Sequence, residues 1–266
     1  MSGRLASALH GLSPAERENE VRRKMPRKCC FSMRISLRLV STFAILPLLA
    51  SFLWGAEDSN KQQSELINRL DASKKVLDEV MSSAKRAIPQ SVLHHAMCLA
   101  VFPSTVEVAA LAGGEHGRGF ATCRTTQGWS APAPLDISGG SWGAQLGAQE
   151  VDLVLVVTDQ KGMQELESGK LKMGIEASVA GGPVGEQAST VTTNADILSY
   201  SRSRGLFAGT NLSGSEISED QGDTRTLYGS PISMADIFAG KTQVPDAGSA
   251  FLNEVAKYAG QSRQRE

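Results

Sequence analysis

The chain has 266 residues, with 27 Lys and Arg against 28 Asp and Glu, so its formal net charge is −1. Residues 1–56 hold 9 basic and 3 acidic side chains, and the 18 basic and 25 acidic side chains that follow give the rest a net charge of −7. Nonspecific nucleic-acid binding depends on neutralising phosphates, so an acidic domain of this kind excludes nucleic acid as an expected partner.

The N-terminal region has the pattern of an export signal. Arg34 and Arg38 precede an apolar run over residues 39–56, LVSTFAILPLLASFLWGA. A basic segment followed by an apolar segment of this length is typical of a signal peptide, with cleavage after Ala50 or Ala56. The run is short for a membrane span, which needs roughly 20 residues. We therefore expect a periplasmic or secreted protein, with an uncleaved membrane anchor as the alternative.

The remaining chain is long enough to form one hydrophobic core. About 210 residues follow the apolar run, which is within the range of a single domain. We expect a leader and signal peptide over 1–56 and one domain over 57–266.

Two cysteines, Cys98 and Cys123, lie beyond the leader. An even pair in an exported chain favours a disulfide, which by closing a loop of about 25 residues contributes roughly 3 kcal/mol in the chain-entropy model. Two buried free thiols are one alternative. A zinc site with His94, His95 or His116 is another, but the spacing matches no usual ligand pattern. We expect neither a metal nor a cofactor.

The first element of the domain is predicted to be an amphipathic helix over residues 62–88. Apolar residues recur at three- and four-residue spacing, Ser64 is a plausible N-cap, and Pro89 ends the run. The opposite face mixes acidic and basic side chains, whereas a membrane-surface helix is usually more one-sidedly basic. The pattern favours a helix packed on a core with a solvated face over a helix lying on a membrane.

Short apolar segments with glycine or proline between them follow this helix. They predict strands within 97–102 (ending at Pro103), 106–114, 118–124, 128–137, 141–149, 151–159 and 170–185, and one more strand or a hairpin within 197–215. Strands at this spacing indicate an antiparallel sheet. VDLVLVV is apolar nearly throughout, which predicts a central strand covered on both faces. Helical segments are predicted at 160–169, in TRTLYG and SMADIFAG, and at 247–260. The expected fold is α+β, an antiparallel, barrel-like β-sheet with an N-terminal amphipathic helix and short C-terminal helices.

Catalytic motifs are weak in this sequence. GGSWG over residues 139–143 matches the G-x-S-x-G of serine hydrolases, in which the serine sits on a turn that leads into a helix. All four histidines precede Ser141, and a strand is predicted after it. The glycine-rich segments 112–119 and 180–185 lack the Lys-Ser/Thr of a phosphate-binding loop. No enzyme activity is expected, and a hydrolase using Ser141 is an unlikely alternative.

The strand segments occur in an order that resembles the SYLF domain family. The segments are AVFP (100–103), GRG (117–119), CR (123–124), WSAP (129–132), GAQLGAQEVDLVLVV (143–157), KMGIEASVAGGPVG (172–185) and YSRSRGLFAG (200–209). The resemblance covers roughly residues 62–260. No single segment decides it, but the ordered set is specific.

The resemblance implies a non-catalytic module. Fungal and animal members of the family bind phosphoinositides or other anionic lipids and bundle actin. Their lipid contact is associated with an N-terminal amphipathic helix, and its basic candidates here are Lys74, Lys75, Lys85 and Arg86. The export signal suggests a bacterial envelope, where actin and phosphoinositides are not expected, so envelope phospholipid or a protein partner is favoured, and actin is a partner only by family analogy.

The segment SYSRSR, residues 199–204, alternates a tyrosine and two arginines with serines. In an extended strand, Tyr200, Arg202 and Arg204 share one face. Two guanidiniums on one face could hold a lipid phosphate or pair with buried carboxylates such as Asp152 or Asp196. Ion pairing is favoured, and lipid contact stays the alternative. The predicted function is binding of anionic phospholipid, with an envelope protein–protein scaffold as the main alternative.

Overall fold

The computed structural model describes residues 46–83, 87–109, 112–142, 147–182, 195–203, 212 and 214–260. The chain divides into two compact units, Met1–Phe52 and Leu53–Glu266. The first helix begins within the first unit, and every other element described below belongs to the second. The predicted boundary after residue 56 stays a prediction.

The described residues form six helices and nine strands. The helices are α1 (Leu46–Met81), α2 (Gln90–His95), α3 (Gln160–Glu167), α4 (Gln221–Tyr228), α5 (Met234–Phe238) and α6 (Asp246–Ala259). The strands are β1 (Cys98–Ala109), β2 (Ala112–Thr125), β3 (Gly128–Trp129), β4 (Ala133–Trp142), β5 (Gly147–Val157), β6 (Lys170–Lys172), β7 (Val179–Gly181), β8 (Ile197–Ser203) and β9 (Glu216–Glu219). Within the described residues, no helix is both long and apolar enough to span a bilayer.

All nine strands belong to one mostly antiparallel sheet. Its order is β6-β9-β4-β2-β1-β5-β8-β7, and the short β3 pairs with β2. The pairing of β7 with β8 is parallel, whereas the other named pairs are antiparallel. This confirms the predicted α+β fold.

The sheet has to curl, because its two edge strands are close neighbours in the chain. Eight strands at about 4.8 Å spacing would separate β6 from β7 by roughly 34 Å in a flat sheet. Only residues 173–178 connect these strands, and a link of that length reaches about 25 Å at most. A bridge between Met173 and Ala177 shortens the link further. The barrel-like curvature therefore follows from the topology.

Apolar side chains cover both faces of the sheet. One buried cluster fills the inner side, with contributions from all the longer strands and from α3 and α5. A second cluster lies on the outer side beneath α1, α2 and α6. Leu153 and Leu155 of β5 point into the inner cluster, and Val154 and Val156 into the outer one. The prediction of a central strand covered on both faces is confirmed.

The prediction that the strand over 97–102 stops at Pro103 is wrong. β1 runs through Pro103 to Ala109, so it joins two predicted strands. The pairing register with β2 and β5 shifts between Val101 and Val106, and Ser104 has a φ of 53°. A β-bulge leaves one residue unpaired, and a bulge is where a strand tolerates a proline.

The boundaries of the first predicted helix are also wrong. α1 begins at Leu46 and ends at Met81, whereas the prediction was 62–88. Ser64 lies within the helix, and its hydroxyl donates to the carbonyl of Asn60 one turn earlier, at 2.9 Å. The signal-peptide-like run continues directly into the amphipathic pattern, so no cap is needed at Ser64.

Candidate functional site

Arg202 of β8 connects the sheet with α1. It lies opposite Asp152 of β5 in the strand register. Its Nε and one terminal nitrogen donate to Oδ2 of Asp152, at 3.2 and 2.6 Å, and another terminal nitrogen pairs with Glu79 of α1. The Asp152 carboxylate is 2 % exposed, so its charge is removed from water and requires a partner.

Asp152 also holds the bulge in β1. The backbone N–H of Ser104 donates to Oδ1 of Asp152 at 3.0 Å. This bond fixes the residue with positive φ, which a non-glycine residue adopts only at some cost. The carboxylate therefore joins three neighbouring strands, β1, β5 and β8. Asp152 lies at the start of the apolar part of β5 because its carboxylate binds two groups. One is the backbone N–H at the bulge of β1, and the other is the guanidinium of Arg202 on β8.

The geometry at Arg202 corresponds to the ion-pairing interpretation of the arginine segment. Hydrogen bonding to Asp152 raises the pKa of Arg202 above its usual value. Asp196 is not the partner, since its Oδ2 accepts from the N–H and hydroxyl of Ser178 at 2.7 and 2.9 Å. Arg204 lies outside the described residues.

Tyr200 belongs to the core and not to the surface. It is buried in the outer cluster, and burial raises the pKa of its hydroxyl. Gly182 lies directly against its ring, so that a Cβ on Gly182 would come within 2.1 Å of the ring. One glycine of the 180–185 segment therefore allows the backbone to approach an aromatic ring.

α1 turns its apolar side toward the sheet. Over residues 60–81 of this helix, where the side chains are described, the buried apolar ones are Leu66, Leu70, Val76, Leu77 and Val80. Burying each of them stabilises the fold by about 1.5–3 kcal/mol, so detaching α1 in water costs on the order of 10 kcal/mol. That cost matches the whole stability of a typical domain. In the docked helix, only the polar side is available to a ligand.

Lys74 and Lys75 lie on α1 away from its buried stripe. Lys75 is exposed and Lys74 is half-buried, and neither has an ion pair among the described residues. Three carboxylates, of Asp71, Asp78 and Glu79, lie within one helical turn of the two lysines. Asp78 accepts from Tyr258 and Lys257 of α6, and Glu79 pairs with Arg202. The other two candidates on this helix, Lys85 and Arg86, lie outside the described residues.

Cys98 and Cys123 lie opposite each other on β1 and β2. They form a register pair, and their Sγ atoms lie 2.02 Å apart. Both side chains are fully buried in the inner cluster.

Arg124 was not among the predicted site residues, although it stands in the CR segment that supports the resemblance. Its Nε donates to the carbonyl of Ala96 at 2.8 Å, and a terminal nitrogen donates to the carbonyls of Leu93 and Ala259. The guanidinium lies 4.5 Å from the ring centroid of Trp129. Arg124 thus joins the C-terminal ends of α2 and α6, where a cation is favourable. The signal available in the sequence was that Arg124 and Trp129 both stand in segments that support the resemblance.

The residues considered for catalysis do not come together. Ser141 lies within β4 opposite Gly113, not on a turn that leads into a helix. His116 pairs in register with Ser138, three residues from Ser141. In the part of the chain that the structure describes, no three His, Cys, Asp or Glu side chains are grouped so as to hold a metal ion.

Comparison with known proteins identifies the domain. Residues 138–258 match the family described as "Ysc84: Las17-binding protein actin regulator". The chain carries a domain of the Ysc84 family, the SYLF domain. The resemblance seen in the sequence is therefore confirmed, whereas the exported, bacterial character of this member stays a prediction.

Relatives of the domain occur in fungi and animals. The chain is similar to Protein YSC84 of Saccharomyces cerevisiae, with 31% identity over 176 residues, which are 64% of this chain and 37% of that protein. It is similar to LAS seventeen-binding protein 3 of the same species, with 31% identity over 171 residues, 62% of this chain and 37% of that protein. It is similar to SH3 domain-containing YSC84-like protein 1 of Homo sapiens, with 30% identity over 197 residues, 70% of this chain and 57% of that protein. The match thus spans between about a third and three fifths of these relatives. No solved structure matches the chain significantly.

Proposed function

We propose that this SYLF domain is an exported, non-catalytic module that binds the surface of anionic phospholipid membranes through the polar side of α1. The observation that carries the proposal is the position of Lys74 and Lys75. Both lie on α1 away from the buried stripe, and neither has an ion pair among the described residues. An ammonium group without a protein partner is available to a lipid phosphate.

Attraction to the membrane has to be local in this protein. The chain after residue 56 carries 18 basic and 25 acidic side chains, so its overall field repels an anionic surface. Binding through a small basic patch is screened within about 10 Å at 0.1 M salt. Salt sensitivity is therefore part of the proposal.

The test is co-sedimentation of the full chain with vesicles. Phosphatidylglycerol vesicles and phosphatidylcholine vesicles are compared at 50 and 300 mM NaCl, with the wild type and K74E/K75E. The wild type is expected to pellet with the anionic vesicles at low salt only, and the variant to remain in the supernatant.

A matched control separates the patch from the total charge. K161E/K172E changes the net charge by the same amount on α3 and β6, where the two lysines also lack an ion pair among the described residues. This control is expected to pellet like the wild type. If both double variants lose binding equally, the patch on α1 is not the site.

Binding of a protein partner is the second candidate function, because a relative is named after the protein that it binds. The matched family is described as "Las17-binding protein actin regulator", and a yeast relative is named LAS seventeen-binding protein 3. Sedimentation of the full chain with purified actin filaments tests the direct form of this candidate. Pelleting with actin and not with vesicles would replace the lipid proposal.

A further inference from the structure

The inner face of the sheet ends in a polar layer beside the inner cluster. Ile137 of β4 belongs to that cluster and lies opposite Gly117 of β2. Side chains alternate along a strand, so Glu115 is the next residue of β2 that faces inward. Glu107 of β1 lies directly opposite Glu115 in the strand register. Two carboxylates therefore project from neighbouring strands on the same side of the sheet.

The two carboxylates repel each other. Burial raises the pKa of the Glu115 carboxyl, the hydroxyl of Ser215 lowers it, and the charge of Glu107 raises it again. Like charges directly opposite each other on neighbouring strands destabilise a sheet. A cation bound between them would remove this repulsion, and the net charge of −7 on the chain after residue 56 would attract it.

A buried hydroxyl group beside this pair is a separate sign of a ligand. Thr105 is 1 % exposed, and its Oγ1 has no hydrogen-bond partner among the described residues. Thr105 faces the same side of β1 as Glu107, and its Oγ1 reaches over β2, since a Cβ on Gly117 would lie 2.5 Å from it. The hydroxyl therefore lies on the inner face next to the two carboxylates. Burying it without a partner costs free energy, which a bound ion would recover.

The Glu115 carboxylate is held by one of its two oxygens. Its Oε1 accepts from the hydroxyl of Ser215. Gly139 lies opposite Glu115 and leaves room for this contact, since a Cβ there would lie 2.6 Å from the Ser215 Oγ and 2.9 Å from Oε1. Among the described residues, Oε2 of Glu115 accepts no hydrogen bond. One oxygen thus positions the carboxylate, and the other is available to a cation.

Calcium fits these groups better than other metal ions do. It accepts carboxylate and other oxygen ligands in a flexible geometry, whereas magnesium requires a near-ideal octahedron and zinc binds mainly nitrogen and sulfur. His116, the residue after Glu115, faces the other side of β2. Within the described ranges, no third acidic, histidine or cysteine side chain completes a metal-binding group with the pair. The remaining ligands would be hydroxyl and water oxygens, so binding is expected to be weak.

We propose that Glu107, Glu115 and Thr105 bind one calcium ion at the end of the inner face, and that Ser215 positions the Glu115 carboxylate. Calcium sites of extracellular modules have Kd values of about 10⁻⁴–10⁻³ M, which is the range expected here. The site uses neither α1 nor its lysines, so it does not depend on the proposed lipid binding.

Equilibrium dialysis of the EDTA-treated full chain against radiolabelled calcium measures the stoichiometry and the Kd. The wild type is expected to bind one ion per chain, and E107Q and E115Q to raise the Kd roughly tenfold or more. T105V is expected to raise the Kd roughly three- to tenfold, because valine keeps the shape and removes the hydroxyl. Magnesium in excess is expected not to displace the calcium. Displacement by equimolar magnesium would overturn the assignment to calcium.

E150Q is the matched control. Glu150 is exposed on β5 and lies opposite Val106, which faces the outer side between Thr105 and Glu107. The substitution removes the same charge from the other face of the sheet and should keep the Kd within twofold of the wild type. No calcium binding by the wild type, or equal Kd values in all variants, overturns the site.

Thermal melts give a second measurement of the same site. In EDTA, E115Q is expected to melt above the wild type, because one of the two repelling charges is gone, and T105V should melt no lower than the wild type. Calcium at 5 mM should raise the Tm of the wild type and of E150Q, but not that of E107Q or E115Q, because only binding to the folded state stabilises it. An equal rise of the Tm in all variants would contradict a site at this pair.

Discussion

At the residue scale, charged side chains of this domain mostly stabilise its own structure. Asp152 and Arg202 join three strands and α1, and Arg124 joins the ends of two helices. Their alternation and spacing are visible in the sequence, but their partners are not. A strand alternates its faces whether its cations point to a ligand or to a carboxylate 50 residues away.

Replacing Arg202 by Ala should destabilise the fold strongly, because it leaves the buried Asp152 carboxylate without its cation. Breaking a buried pair costs about 3–5 kcal/mol. In a domain of this size we expect the Tm to fall by roughly 6–20 °C. Urea unfolding and thermal melts measure both quantities.

E79Q is the matched control for the Arg202 prediction. Glu79 is the second partner of Arg202, but its side chain is 47 % exposed. Exposed pairs contribute about 1 kcal/mol or less. An Arg202→Ala variant as stable as E79Q would show that the ion pair is not structural and would reopen lipid contact at Arg202.

Glu115 provides a pH-dependent test. Burial raises the pKa of its carboxyl, the hydroxyl of Ser215 lowers it by donating to Oε1, and the charge of Glu107 on the neighbouring strand raises it again. A folded-state pKa above the unfolded value of 4.5 means that folding favours the protonated form. This contribution to stability is present below pH 4.5 and is lost as the pH rises through the folded-state pKa.

Replacement of Glu115 by Gln should therefore stabilise the protein at pH 7. Gln keeps the acceptor for Ser215 and removes the charge. We expect the free energy of unfolding of E115Q to exceed that of the wild type at pH 7, with the difference closing as the pH falls through the folded-state pKa of Glu115 toward 4.5. E65Q, at an exposed position of α1, serves as the control and should stay within about 0.5 kcal/mol of the wild type. A gain in E115Q that grows toward acid would contradict the assignment.

At the scale of elements, α1 is both the proposed membrane-binding element and one wall of the outer core. Leu77 is fully buried, and Leu77→Ala should cost about 2–5 kcal/mol in urea unfolding. Because the proposed contact uses the polar side, vesicle binding of the folded variant should equal that of the wild type. Loss of vesicle binding in folded L77A would instead show that the apolar stripe leaves the sheet and enters the membrane.

The elements that were predicted well are those whose pattern is local. Helices α3 to α6 lie where the short helical segments were predicted, and the burial of β5 follows from its apolar run. The bulge at Ser104 depends on Asp152, which is 48 residues away, so no local pattern indicates it. β9 was missed because Glu216–Glu219 is a polar edge-side segment with a single fully buried side chain, Ile217.

The same reasoning applies to the candidate sites. The helical spacing of the apolar residues predicts that Lys74 and Lys75 lie on the polar face of a helix. The even number of cysteines after the leader predicts that Cys98 and Cys123 pair. The partners of Arg124 are not predictable in this way, because Leu93, Arg124 and Ala259 come from three elements that only the fold brings together.

At the scale of the whole molecule, the compartment and the disulfide are linked predictions. Cys98 and Cys123 face each other across β1 and β2, so an oxidising compartment would join them, whereas a reducing cytosol would keep them as thiols. We expect protein isolated from its natural host to begin after residue 50 or 56, so that the leader cysteines Cys29 and Cys30 are absent.

Maleimide labelling of this native protein under denaturing conditions tests both predictions at once. No label should add before reduction, and two should add after it, as read by intact-mass spectrometry. The reduced form should be less stable by about 3 kcal/mol, the contribution of closing a loop of roughly 25 residues. Two free thiols in a chain whose intact mass shows that the leader is absent would place the domain in a reducing compartment. Four free thiols would show in addition that the leader, with Cys29 and Cys30, is retained.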